Sequence, residues 1–175
     1  MYEVDDLSVL TSEAYIARLN DPAEWSARII PGIRRMTRTM CKVAASVGGG
    51  LGTAVLTIRF SAAGEGRNSI VNWLLDGRLS ELAARRGIVA AHLLEGDEAA
   101  SGVQTDEARL RGGGDQTADL ALIVEGYDPD ALRALLDGYL SAEKFVANGA
   151  ETMRHCGLYR AVHVVTKADL PGPEG

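Results

Sequence analysis

The chain has 175 residues, with 46 % hydrophobic and 24 % charged, which suits one globular domain with an appendage and excludes an intrinsically disordered chain. A formal net charge of −6 argues against a general nucleic-acid binder, since phosphate contacts need basic surface. No apolar run reaches the length of a membrane span, the start is acidic rather than that of a signal peptide, and Cys41 and Cys156 lie far apart without metal spacing, so reduced thiols in a cytoplasmic protein are expected.

Residues 1–10 show no period. Residues 12–19 form a short helical candidate with Tyr15, Ile16 and Leu19 on its apolar side. Asp21, Pro22 and Glu24 then read as an N-cap, a first-turn proline and a capping box, opening a helix that carries Trp25, Ile29 and Ile30. Ile33, Met36, Met40, Val43 and Val47 recur at spacings of three and four, opposite Arg34, Arg35, Arg38 and Lys42. This predicts an amphipathic helix ended by Gly48, with the basic side in solvent. Residues 41–47 also alternate, so a hairpin with the next strand is the rival reading. The run from Gly48 to Gly52 precedes a strand rather than a helix and has no following lysine; it reads as a connector, not a phosphate loop.

Residues 53–60 carry the clearest pattern. Ala54, Leu56, Ile58 and Phe60 fall on one face, and Thr53, Val55, Thr57 and Arg59 on the other, as a strand with one dry face requires. Residues 67–86 read as a helix, breakable at Gly77, with Ile70, Trp73, Leu74, Leu79 and Leu82 inward. Residues 88–95 form a strand. Residues 96–117 are polar, glycine-rich and aperiodic, and read as a mobile loop whose Arg109 and Arg111 could close over a ligand. Residues 118–126 are a strand with Leu120, Leu122 and Val124 on its dry face. Asp128 and Pro129 open a helix through Tyr139. A helical piece covers 142–147, residues 158–166 form the last strand, and the tail from 168 is loose.

From residue 53 onward the order is strand, helix, strand, strand, helix, strand. This βαββαβ order belongs to α+β, ferredoxin-like folds with an antiparallel sheet. It resembles the dimeric α/β-barrel superfamily, over about residues 51–167 and by topology. That group includes cofactor-independent monooxygenases, haem-degrading enzymes and the family associated with ether degradation. The resemblance implies a homodimer with two sheets face to face around a small-molecule pocket. Three parts follow: an N-terminal helical extension (1–50), a ferredoxin-like domain (51–167) and a flexible tail (168–175). The open sheet face needs a cover, from a second subunit or from the N-terminal helices.

Strand parity places the candidate site on that open face. Antiparallel order brings Arg59, Asp119 and Tyr159 to one end of the sheet, with His163 beside Tyr159. His163 is the acid–base candidate, Tyr159 a hydrogen-bond partner, and Arg59 an anion or enolate stabiliser. Thr57, Asp119 and His92 are the ligand-binding candidates. An Arg59–Asp119 ion pair of structural value only is the competing reading. No histidine has metal-ligand spacing and no cofactor motif occurs, so neither a metal nor an organic cofactor is implied. The function expected is binding, with or without transformation, of a small, mostly apolar molecule. The alternative is a non-enzymatic ligand-binding or protein-interaction module whose sheet face serves dimerisation. Whether the chain is an enzyme is left open by sequence.

Overall fold

A computed structural model describes residues 3–33, 36–112, 116–165 and 169. The chain opens with three short helices, α1 (Leu7–Thr11), α2 (Glu13–Asn20) and α3 (Glu24–Ile29), and a 3-10 turn over Ile30–Gly32. Strand β1 (Cys41–Gly48) follows, then β2 (Ala54–Ser61). Helix α4 (Gly64–Trp73) runs through a kinked segment (Leu74–Arg78) into α5 (Leu79–Ala83). After β3 (Ile88–Gly96) come α6 (Glu98–Ser101), α7 (Asp106–Leu110), β4 (Leu120–Gly126), α8 (Pro129–Asp137), α9 (Ala142–Ala147) and β5 (Thr152–Arg160).

The five strands form one antiparallel sheet in the order β1-β3-β4-β2-β5. Strands β2 to β5 with their intervening helices make the α+β, ferredoxin-like arrangement that the sequence predicts, with β2 and β4 in the interior. On the helix side, Leu56, Ile58, Leu120, Leu122, Val124 and Leu93 are fully buried. Each such side chain contributes roughly 1.5–3 kcal/mol on burial. Phe145 of α9 meets the Phe60 ring edge-on at 4.9 Å and the Trp73 ring at 5.6 Å, tying α4 and α9 to β2. Gly77 has φ 102°, and there the predicted 67–86 helix breaks. Asp128 caps α8 as predicted, its carboxylate accepting from the N–H groups of Asp130 and Ala131 at 3.0 and 3.1 Å.

Four expectations are corrected. Residues 41–48 are a strand, not the end of a helix. They pair with β3 at the sheet edge rather than with β2 as a hairpin. Ala45 and Val47 pack on the core, and a register shift between Val43 and Ala45 disturbs the plain alternation. Edge pairing satisfies the outward backbone groups of β3 and the facing ones of β1, which an isolated helix over this span could not do for β3. The sheet thus takes a strand from each side of the boundary predicted at residue 50. Arg34 and Arg35 of the basic stripe lie outside the described residues.

The glycine connector spans the ends of β3 and β4, three strand steps or about 14 Å. It crosses in close contact. A Cβ on Gly48 would meet Val89 O at 2.2 Å, and one on Gly52 would meet Gly126 N at 2.5 Å.

The helix predicted from Asp21 starts later: its N-cap is Ala23, without a side-chain cap bond. The 96–117 stretch holds two short helices. Thr105, 1 % exposed, caps α7 by accepting from Ala108 N–H at 3.2 Å, and Asn20 Oδ1 of α2 accepts from Asp106 N–H at 2.9 Å. Arg109 pairs with Asp106 at 2.9 Å, and Arg111, just after α7, pairs with Glu107 at 2.7 Å.

The last strand lies six residues earlier than predicted. Helix α9 ends at Ala147 with Asn148 as its C-cap, Gly149 turns with φ 107°, and Glu151 N–H already donates to Ser61 O at 2.8 Å. The turn sets the register before the valine-rich 162–165 run arrives. Val162, 89 % exposed, lies beyond the strand. Residues 170–175 of the tail lie outside the described residues.

Candidate functional site

The shifted last strand rearranges the predicted site. Arg59 and Thr57 do lie on the open face of β2, as parity requires. Opposite Arg59 in β5 stands His155, and opposite Val55 stands Tyr159. Tyr159 and Arg59 are therefore four residues apart along the sheet, roughly 13 Å. Tyr159 folds back over Gly157, where a Cβ would come within 2.5 Å of the ring. Thr57 Oγ1 donates to Gly157 O at 3.5 Å. His163 is exposed in the irregular segment after β5 and does not sit on the sheet.

Asp119 precedes β4, so strand parity does not govern it. Its carboxylate accepts from Arg67 of α4 and from Ala62 N–H at 3.1 Å. Arg67 also donates to Glu95 at 2.9 Å. Burial lowers the Arg67 pKa, but the bonds to Glu95 and Asp119 outweigh it and the net shift is upward. The ion pair expected between Arg59 and Asp119 is replaced by this Arg67 cluster. Asp119 borders a polar hollow of about 370 Å³ with Thr39, Ser61 and Glu151, where Ser61 Oγ is buried without a hydrogen-bond partner among the described residues.

The open face is instead occupied at its other side. Residues 3–10 run over β1, β3 and β4, leaving a groove of about 470 Å³. Val4, Leu7 and Leu10 supply its outer wall; Met40, Leu94 and Ile123 supply its floor. The N-terminal segment therefore covers part of the face that was expected to need a cover.

Three polar side chains converge in this groove. Ser46 stands opposite His92 in the β1–β3 ladder, and His92 stands opposite Ile123 of β4. Ser46 Oγ lies 2.6 Å from His92 Nδ1. On the other side of the ring, Nε2 is 3.7 Å from Glu125 Oε1, with the side chains 24 % and 13 % exposed. The second Glu125 oxygen accepts from Gly52 N–H at 3.0 Å, so the connector holds the carboxylate in place. Carboxylate at Nε2 favours the proton on that nitrogen and leaves the Nδ1 lone pair facing the serine hydroxyl.

Of the predicted site residues, His92 is in this groove, and Arg59, Thr57, Tyr159, Asp119 and His163 are not among its lining. Glu125, two residues on from Ile123 in β4, lies on the open face with it. Ser46 was missed because its segment read as helix; the alternation of residues 41–47 was the signal that pointed to it.

Among the described residues, no group of three or more histidine, cysteine or acidic side chains is arranged to hold a metal ion. In the same set, no helix is long and apolar enough to cross a membrane.

No family model matches the sequence, and no curated protein matches it. Among solved structures, the fold is similar to a heme-degrading enzyme from Listeria monocytogenes, at 12% identity and a TM-score of 0.44, over 70% of this chain and 71% of that one.

Proposed function

We propose that this chain binds a small, mostly apolar, uncharged molecule in the groove between residues 3–10 and the β1-β3-β4 side of the sheet. His92 is the group that hydrogen-bonds it or exchanges a proton with it. The observation that carries this reading is the Ser46–His92–Glu125 cluster, set beside the apolar floor and outer wall of a hollow of about 470 Å³. Small-molecule sites combine such a lining with a few convergent polar groups, at volumes of roughly 300–1,000 Å³. The rim selects against anions. Glu3, Asp5 and Asp6 face the groove with Glu125, against Lys42 as the cation, which is itself 3.9 Å from Asp97. A carboxylate or phosphate ligand would meet like charge there.

The neutral solvatochromic dye Nile red tests this. Wild-type protein should bind it with a blue-shifted emission. Leu94→Gln should weaken binding about tenfold, or ~1.4 kcal/mol, while the chain stays folded. No emission change with wild-type protein would sink the reading.

A further inference from the structure

We propose that Ser46 is an acyl-accepting nucleophile served by His92 and Glu125, which makes the groove a site for cleaving neutral carboxylic esters. This rests on the groove being the ligand site.

Gly49 N–H donates to Val89 O at 3.2 Å just beyond the β1–β3 ladder, whose register pairs Gly48 with Ala90 and Ser46 with His92. Counting back along the ladder, Ser46 and His92 form a non-hydrogen-bonded pair, the type whose side chains stand closer. That accounts for the 2.6 Å between Ser46 Oγ and His92 Nδ1. The same count turns the Ser46 N–H off the free edge of β1, where a carbonyl oxygen can take it as a donor. Glu125 lies 3.7 Å from Nε2, placed to stabilise the imidazolium that forms when Nδ1 takes a proton. A nucleophile, a base and an orienting carboxylate stand in sequence, and Ser46 is on the exposed side of the groove.

In the first step Ser46 Oγ bonds to the acyl carbon while its proton passes to His92 Nδ1. The bond from the acyl carbon to the alcohol oxygen then breaks, and the alcohol leaves with that proton. Water adds to the acyl carbon, giving its proton to Nδ1. Ser46 Oγ takes that proton back as its bond to carbon breaks, and the carboxylic acid is released.

The test is a neutral alkyl fluorophosphonate, which loses fluoride to an activated serine, read by intact mass and peptide mapping beside the Nile red assay. The expected result is one adduct, on Ser46, absent in Ser46→Ala. His92→Asn should slow labelling by about a hundredfold or more. The wild-type rate should rise with pH, a profile that His92→Asn lacks. No adduct at Ser46 with Nile red still bound overturns the nucleophile and leaves the ligand site standing. No adduct and no dye binding removes both. Labelling of Ser46 at an unchanged rate in His92→Asn, or labelling confined to other hydroxyls, also overturns the proposal.

Discussion

Gly66 and Gly149 pack backbone against backbone. A Cβ on Gly66 would lie 2.6 Å from Gly149 O, and one on Gly149 would lie 2.4 Å from Gly66 O. This contact seats the start of α4 against the turn that launches β5. It therefore helps to decide where the last strand begins.

Gly149→Ala should destabilise the protein by roughly 2–4 kcal/mol, because it adds a backbone clash to a left-handed φ of 107°. Gly138→Ala is the control: nothing lies within 4 Å of its added Cβ. It should stay within about 0.5 kcal/mol. Urea unfolding of the two variants measures both. An unchanged midpoint for Gly149→Ala would remove the close approach as a determinant of the fold.

Arg67→Met should cost about 1 kcal/mol or somewhat more, since it leaves Asp119 and Glu95 facing each other without their shared cation. The figure is modest because the three side chains are 29–39 % exposed and solvent screens them. Adding Asp119→Leu should recover part of the loss. Arg59→Met, whose residue makes no ion pair among the described residues, should change the thermal midpoint little. If Arg59→Met proved the costlier substitution, the Arg67 cluster would not be the one that matters.

Alkaline pH should erode stability through three groups at once. Burial raises the Cys41 and Cys156 thiols, and burial followed by hydrogen bonding to Glu81 raises Tyr139. A group raised in the folded state releases its proton first in the unfolded chain. The stabilisation is present below the unfolded thiol pKa of about 8.5 and is lost as pH climbs through the raised values. Thermal midpoints taken from pH 8 to pH 11 should fall. The fall should be shallower in the Cys41→Ala, Cys156→Ala double variant. Iodoacetamide at pH 8 should modify both cysteines more slowly in the folded protein than in urea, and equal rates would contradict the burial argument.

A homodimer is expected through the part of the open face that residues 3–10 do not cover. Val55 and Tyr159 stand opposite each other there, Tyr159 54 % exposed, with Val162, Val164 and Val165 exposed just beyond. Sedimentation at micromolar concentration should give twice 18.6 kDa, and Tyr159→Asp should shift the protein toward monomer. Wild-type protein sedimenting as a monomer would rule the dimer out.

Local chemistry was enough for the elements whose pattern has one solution. The alternation of residues 53–60 put Leu56, Ile58 and Phe60 in the core, and that of residues 120–124 did the same for Leu120, Leu122 and Val124. Asp128 and Pro129 marked a helix start because a carboxylate cap and a fixed φ act within a few residues. Strand order from β3 to β5 followed from the βαββαβ succession, since each crossover has few ways to return to a sheet.

Tertiary contact decided the rest. Residues 41–48 carry both a helical stripe and an alternating one, and the unpaired edge of β3, far away in sequence, selected the strand. The register of β5 was set by the Gly149 turn against Gly66, not by the valine run at 162–165, and six residues of shift carried Tyr159 along to Val55, put His155 opposite Arg59 and left His163 beyond the strand. Asp119 found Arg67 because it lies just off the strand, where parity has no force. The meeting of Ser46, His92 and Glu125 needed three strands in register and a glycine connector tight enough to reach Glu125. Each residue's own neighbourhood is silent about the other two, because sequence patterning reports which face a side chain takes and the sheet register alone reports whom it faces.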